Sequence, residues 1–503
     1  MSLIKQNMVA NFAGTFWQAL MSFLFVPIYI KLIGIESWGL IGVYSLFQTI
    51  FSLLDLGLSS TLSRELARLT IFKDQNTTVR NLVKTLEVVY WGIAIFIGIL
   101  FISMSPYLAN HWFKSNTLPV LVVLSSLFSM GIVMALQMPI GFYSGGMIGL
   151  QKQMKLNIIN SSISTLRGLG AVFFLWLISP TVQAYFIWQI FASVLNIILL
   201  FISLKKALPF SPKKSTFQKK ILIGIWKFAA GMSGIMFLSI ILTQLDKFIL
   251  SKLLSLEEFG YYTLASIVAM SLSKFTNPIM NAIYPRMTQL VEVNNQESLI
   301  ELYHNNCQFI AVLLLPITMI ITMFSKEILF IWTQNEITSN RTFLLVSILT
   351  LGSGFYTIMI LPYTLQLAHG WTSLSIYKNI VAVIIMIPLI IYLTKNFGSI
   401  GAAFAWLTLN IGYIVFEIPL IHKRLLKTEK WKWYFNDFLT PFFISVIVAG
   451  TGKILIFSSL GKFGLLIYIL LVFVLTLSIT AFFTSFTRKS IINIIRNRVN
   501  FNF

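Results

Sequence analysis

Six ionisable residues stand inside long apolar runs, where a charge is costly and is kept only for a use or a partner. Arg167 lies between Ser164 and Gly168 in one run, and Lys274 lies deep in another. Asp55 falls in the phrase Leu54-Asp55-Leu56-Gly57-Leu58, upstream of Arg64. Asp246 and Lys247 are adjacent in Gln244-Leu245-Asp246-Lys247, and Glu417 stands near the end of a later run. A guanidinium grips phosphate oxygens through paired donors, and deep cations fill a cavity with a field that draws anions. Arg167 and Lys274 are therefore candidate anion ligands, with Arg64 and Lys247 as further cations. Asp55 and Asp246, as carboxylates in a low-dielectric setting, are candidates to bind a coupling proton or sodium ion.

Each residue also has a plainer reading. Asp55 either caps a short polar helix beginning near Ser59 or pairs with Arg64. Lys247 can snorkel to the outer interface, while Asp246, its neighbour on a helix, points elsewhere. Glu417 reads as interfacial. Arg167 and Lys274 sit too far from either end of their runs to snorkel easily, so each calls for a buried partner or a water-filled cavity. No catalytic or metal-binding constellation accompanies them. The single cysteine, Cys307, reads as a small core residue. His111 lies apart from His304, His369 and His422, and the four make no metal-like cluster.

The elements that hold these charges follow from composition. Of 503 residues, 57% are hydrophobic and only 11% are charged, and the mean hydropathy is +0.84. A soluble domain carries about a quarter charged residues, so lipid must be the solvent for most of this surface. A helix needs about 20 apolar residues to cross a bilayer. About fourteen spans are expected, at 9–30, 38–61, 86–104, 118–142, 157–178, 182–204, 228–250, 259–283, 306–324, 341–365, 377–394, 400–421, 438–457 and 463–484. The first run is too long for a signal-peptide core and reads as a span. The connections are short and leave no room for a catalytic domain. The fold class expected is all-α integral membrane protein.

A net charge of +21 in a soluble chain would point to nucleic acid. Here the basic residues lie between apolar runs, so nucleic acid is excluded as a partner, and orientation and an anionic ligand explain them better. With both termini inside, 26 of the 37 basic residues fall on the cytoplasmic side.

Two stretches repeat. Ile35-Glu36-Ser37-Trp38-Gly39 reads like Leu256-Glu257-Glu258-Phe259-Gly260, an offset that also pairs Lys31-Leu32 with Lys252-Leu253 and Gly149 with Gly370. Related halves of six spans each are expected, a plan that suits transporters. The domains are then 1–204, a basic linker 205–227, 228–421, two extra helices within 438–484, and a basic tail 485–503.

Several phrases carry a family resemblance. They are Asn11-Phe12-Ala13 followed by Pro27-Ile28-Tyr29, Leu54-Asp55-Leu56-Gly57-Leu58 leading to Arg64-Glu65, Gly149-Leu150-Gln151-Lys152-Gln153, and Leu245-Asp246-Lys247-Phe248-Ile249-Leu250. In order and spacing the chain resembles the Wzx-type O-antigen and capsule flippases. These are the polysaccharide transporter family of the multidrug/oligosaccharidyl-lipid/polysaccharide exporter superfamily. The resemblance implies two six-helix lobes in a V around a cationic cavity, plus two C-terminal helices. It implies translocation of an undecaprenyl-pyrophosphate-linked oligosaccharide across the cytoplasmic (inner) membrane. It implies membrane lipids, a glycan polymerase and a chain-length regulator as partners. No enzyme activity and no cofactor are expected beyond the coupling ion. Lipid II flippases of the superfamily carry arginines in the first span, and none stands between Lys5 and Lys31. The rival readings are a drug or cation exporter of the same superfamily and a membrane-embedded glycan polymerase or ligase. A polymerase or ligase would need a larger outer loop.

Overall fold

A computed structural model of the chain describes residues 3–70, 75–456 and 461–488. They form two compact units, Met1–Gly260 and Tyr261–Phe503. No strand is present among the described residues, and an isolated bridge pairs Lys114 with Ser255. Lipid imposes this outcome, because a helix satisfies its own backbone and an open strand edge does not.

The first unit contains α1 (Leu3–Leu24), α2 (Val26–Ile33), α3 (Ile35–Phe51), α4 (Leu58–Leu69), α5 (Asn76–Tyr107), α6 (Val120–Gly149), α7 (Gln153–Leu177), α8 (Val182–Ala207) and α9 (Lys219–Leu253). Next comes α10 (Leu256–Met270), which begins in the first unit and continues into the second. The second unit then holds α11 (Ser273–Glu292), α12 (Gln296–Met323), α13 (Ser325–Thr333), α14 (Glu336–Ile358), α15 (Ile360–Ala368), α16 (Thr372–Gly412), α17 (Ile418–Leu425), α18 (Lys430–Lys432), α19 (Thr440–Ile454) and α20 (Lys462–Phe483).

Eleven stretches among the described residues are long and apolar enough to cross a membrane. One of them, Thr372–Leu425, has 54 residues and would rise about 80 Å if straight, against a hydrocarbon core of about 30 Å. It is broken at Gly398, whose φ of 61° and ψ of −144° are open to a residue without a Cβ. The two arms correspond to the expected spans 377–394 and 400–421. Large apolar side chains face outward, with Trp176 71% and Phe416 73% exposed, as a lipid-solvated surface requires.

The expected spans 9–30 and 341–365 are interrupted at single residues, Phe25 and Met359, and two others have longer breaks. The run 38–61 stops at Phe51, passes through a 3-10 turn at Ser52–Asp55 and left-handed residues at Leu56 and Gly57, and restarts as α4. The run 259–283 stops at Met270 and restarts at Ser273. Serines stand at both longer breaks. Ser52 Oγ donates to the Thr49 carbonyl at 2.6 Å, and Ser271 and Ser273 donate to Val268 and Met270 at 2.7 Å each. Such back-bonding competes with the helical ladder. Beyond the first break, α4 is amphipathic, burying Leu58, Thr61, Leu62 and Leu66 while Arg64 and Arg68 stay exposed.

The internal repeat is visible in the backbone, since α3 begins at Ile35 and α10 at Leu256, the two residues that open the repeated phrases. Its glycines have a shared reason. A Cβ on Gly39 would lie 2.1 Å from the Leu256 carbonyl oxygen, and one on Gly260 would lie 2.4 Å from that of Ile35. Each repeat thus sets its glycine against the first carbonyl of the other's helix, at a separation that no other residue allows.

The segment between α8 and α9 is laid along the start of α5. Arg80 Nε donates to the Pro209 carbonyl at 2.8 Å, Asn81 Oδ1 accepts from Thr216 N at 2.8 Å, and Thr85 Oγ1 accepts from Gln218 N at 2.9 Å.

The second unit buries two polar groupings. Glu417, expected at an interface, is 4% exposed and receives Lys378 Nζ at 2.5 Å. Lys378 also stands over the rings of Tyr413 and Tyr363, 4.8 and 5.6 Å from their centroids. The pair joins two turns of helix that are distant in sequence, a partner that proximity to a run's end does not reveal. The other grouping centres on His304 of α12. Its Nδ1 meets Asp437 and its Nε2 lies 3.0 Å from Glu429. Gln308 donates to Asp437 at 2.8 Å and accepts from Phe486 N at 3.0 Å. This clasp ties α12 to the turns before α19 and to the chain after α20. Cys307 is buried beside it, as a core residue.

Candidate functional site

In the first unit a cavity of about 630 Å³ lies at the break between α3 and α4. Its walls come from the end of α3 (Gln48, Phe51), the 3-10 turn with Asp55, and one stripe of α6. That stripe is Met134, Gln137, Met138 and Gly141, at the three- and four-residue spacing of a single helix face. Ile97 of α5 and Ile240 of α9 complete the lining. The walls are mainly apolar, with a few convergent polar groups, which is the usual make-up of a small-molecule site.

Asp55 lies in this lining. Its carboxylate accepts from Ser59 Oγ at 2.8 Å and from the Tyr90 hydroxyl. Asp55 thus meets α4 through the Ser59 hydroxyl and does not cap it, since the N-cap position is Gly57 and receives no side-chain bond, and Tyr90 is a partner that the sequence did not suggest.

Arg167 stands midway along α7, behind the cavity wall. Its Nη2 donates to Ser193 Oγ of α8 at 2.9 Å. The Gln137 amide, oriented with its oxygen toward the guanidinium, accepts from Nη1 at 3.3 Å and from Nη2 at 3.2 Å. Nε is buried without a hydrogen-bond partner among the described residues. The Tyr44 and Tyr185 rings pack close by, in edge-on contact with Phe186 at 5.6 and 5.2 Å. Gln137 thus has one face on the cavity and the other on the guanidinium, and it is the side chain that links Arg167 to the space in front. A search restricted to charges passes over Gln137. The signal that would have found it is an amide standing alone among the apolar residues around Pro139.

α7 is itself held by polar contacts from α1. Asn11 Nδ2 donates to Gln153 at 2.8 Å, Asn157 Nδ2 donates to Asn11 at 2.6 Å, and Trp17 Nε1 donates to Thr165 at 2.9 Å. Tyr29 fixes the middle of α7 by donating to the Gly168 carbonyl at 3.1 Å.

The other candidates lie on other helices. Arg64 is exposed on α4, one turn beyond the cavity lining. Asp246 is buried and Lys247 half-buried near the C-terminal end of α9. Lys274 is the second residue of α11, exposed and directly after the helix break. It was expected within a continuous span, and the break between Met270 and Ser273 puts it near a helix start instead. By the repeat register Lys274 corresponds to Leu53, which lines the cavity of the first unit.

Comparison with known proteins agrees with this architecture. The family model described as "Polysaccharide biosynthesis protein" matches residues 4–291. A Shigella flexneri protein named "Putative O-antigen transporter" is 21% identical over 269 residues, which is 52% of this chain and 59% of that protein. The chain thus spans somewhat more than half the length of that relative. Among solved structures, the lipid II flippase MurJ in an inward closed conformation superposes with a TM-score of 0.65 at 17% identity, covering 96% of this chain and 99% of that one. An inward-facing multidrug resistance MATE family transporter superposes with a TM-score of 0.63 at 14% identity, covering 82% and 96%. The Vibrio cholerae MATE transporter VcmN gives 0.56 at 18% identity, covering 85% and 98%. The chain is a multi-pass helical membrane protein with the MurJ and MATE fold, and it belongs to the polysaccharide biosynthesis protein family.

Proposed function

We propose that this protein is a flippase. Its substrate is an oligosaccharide linked to undecaprenyl pyrophosphate, a repeat unit of O-antigen, capsule or exopolysaccharide. It carries that substrate from the inner to the outer leaflet of the cytoplasmic membrane by alternating access, with both chain termini cytoplasmic. The family match and the O-antigen transporter name of the Shigella relative support the substrate class. The observation that carries the chemistry is the Gln137–Arg167 pair behind the cavity of the first unit.

The head group carries charge and sugars, and leaving them in hydrocarbon costs many kcal/mol. A guanidinium behind a cavity with a few convergent polar groups lowers that cost. In the resting arrangement the Gln137 oxygen occupies two Arg167 donors. A phosphate oxygen arriving in the cavity replaces this neutral acceptor with a charged one, adding ion-pair attraction and the paired-donor geometry that a guanidinium offers to phosphate. Gln137 acts as a placeholder, holding the guanidinium oriented until the anion arrives. Lys274, Arg64 and Lys247 are further cations for the head group. Asp55 and Asp246 are the candidate sites for a coupling proton or sodium ion, which can drive the cycle only by binding its two states unequally. The reading involves no bond-making step, so it describes a transporter and not an enzyme.

One observation favours the rival drug or cation exporter, namely the presence of Asp55 in a largely apolar cavity. The two readings separate in proteoliposomes. Transfer of lipid-linked oligosaccharide between leaflets, without uptake of an organic cation such as ethidium, supports the flippase. Ethidium transport with no movement of the lipid-linked sugar refutes it.

A further inference from the structure

A second concavity of the first unit lies apart from the cavity just described. It is a groove of about 940 Å³, lined by α5 and α8 with Tyr143 of α6. Its α5 wall includes Lys84, Glu87, Trp91, Gly92 and Ile95, a single helical stripe. At 1.5 Å per residue this stripe is about 16 Å long, half of a hydrocarbon core of about 30 Å. The groove therefore has the depth of one leaflet. Its α8 wall is apolar as far as Lys205, so both lysines lie at one end.

That end is charged in an unequal way. Glu87 is buried and accepts from the Tyr143 hydroxyl at 2.9 Å. Lys205 Nζ stands 3.5 Å and Lys84 Nζ 3.6 Å from the same Glu87 oxygen. Both contacts are long, and each ammonium carries three donors. The lysine side chains remain 37% and 44% exposed. Two cations against one carboxylate leave a single positive charge at the head of an apolar channel. This matches the single negative charge of a phosphodiester. A zwitterionic head group brings its own cation, and a pyrophosphate brings more negative charge than the site balances.

We propose that this groove binds one anionic phospholipid of the leaflet adjoining Lys84 and Lys205. Its phosphate sits between the two ammonium groups, and an acyl chain lies along Trp91, Gly92 and Ile95. The site is independent of the transport reading, since it needs only a membrane around the first unit.

The test uses the full chain in nanodiscs and reads the fluorescence of Trp91, isolated by subtracting a Trp91→Phe variant. Brominated phosphatidylglycerol should quench Trp91 more strongly than brominated phosphatidylcholine at equal mole fraction. Lys84→Gln and Lys205→Gln should each reduce that preference about fivefold, the usual effect of one basic residue near an anionic bilayer. A Cβ on Gly92 meets nothing within 4 Å, so Gly92→Phe fills the channel and should abolish Trp91 quenching with both lysines in place. Equal quenching by the two lipids overturns the proposal, as does a preference that survives both lysine substitutions. Displacement of phosphatidylglycerol by equimolar polyprenyl pyrophosphate would assign the groove to the carrier lipid and also overturn it.

Discussion

Replacing Lys378 by Met probes the buried pair of the second unit. Glu417 is 4% exposed, and the Lys378 ammonium lies 2.5 Å from its Oε1. Its second oxygen, Oε2, has no hydrogen-bond partner among the described residues. Lys378→Met removes the one counter-charge and leaves a buried carboxylate, a change that costs about 3–5 kcal/mol. It also removes the two ring contacts of the ammonium, worth roughly 0.5–1 kcal/mol each when partly exposed. The reverse substitution, Glu417→Gln, should cost less. Lys378 keeps 20% of its side chain exposed and retains the Tyr413 and Tyr363 faces. The double variant Lys378→Met/Glu417→Leu should recover most of the loss, because hydrophobic replacement of a buried pair is often neutral. Unfolding in mixed micelles by SDS titration measures all three. The reasoning is refuted if Lys378→Met unfolds within about 0.5 kcal/mol of the parent, the scatter of ordinary surface substitutions, or if Glu417→Gln is the more damaging.

Gly39→Ala and Gly260→Ala should each destabilise the protein by about 2 kcal/mol or more, because the added carbon meets a backbone carbonyl that cannot step aside; thermal unfolding in detergent measures this, and unchanged unfolding would remove the close helix approach. His304→Ala should free the turns before α19 from α12 and speed proteolysis there, whereas cleavage at the parental rate would show that the clasp holds nothing. Burial opposes the charge on Glu429, but hydrogen bonds from Thr428 and Lys432 outweigh it and hold its carboxyl below the usual glutamate range. The stability contributed by Glu429 is therefore present above that range and lost as pH falls through the lowered value, so Glu429→Gln should lower stability at neutral pH, flatten the acid limb of a stability–pH profile and converge with the parent at the acid end. A reporter fused after Lys213 should lie on the cytoplasmic side, and an external location would reverse the orientation derived from the basic residues.

Much of this fold could be read from hydrophobic run length, because lipid leaves a spanning chain few other solutions. The runs at 118–142, 157–178 and 182–204 each coincide with a helix. Short-range polar competition was harder to see. Ser52, Ser271 and Ser273 look innocuous in an apolar run, yet they back-bond at the two breaks, one of which leaves Lys274 at a helix start. Pairings distant in sequence were hidden for another reason. Nothing near Glu417 in the chain names Lys378, and nothing near Arg167 names Gln137 or Ser193. A cost argument can say that Arg167 needs company, but only packing says which neighbours supply it. The repeat shows the opposite case. Gly39 and Gly260 stood out as matching letters, and the structure supplies the carbonyl contacts that require both.

The account stands or falls on whether Arg167 handles the anionic head group. Purified protein in proteoliposomes carrying a fluorescent lipid-linked oligosaccharide, with an impermeant reagent reporting the outer leaflet, measures this directly. Loss of one charged hydrogen-bond donor set costs about 1.5–3 kcal/mol, so Arg167→Ala should slow translocation roughly 10- to 100-fold, with Arg167→Lys intermediate. Translocation at the parental rate by a folded Arg167→Ala protein would contradict the account.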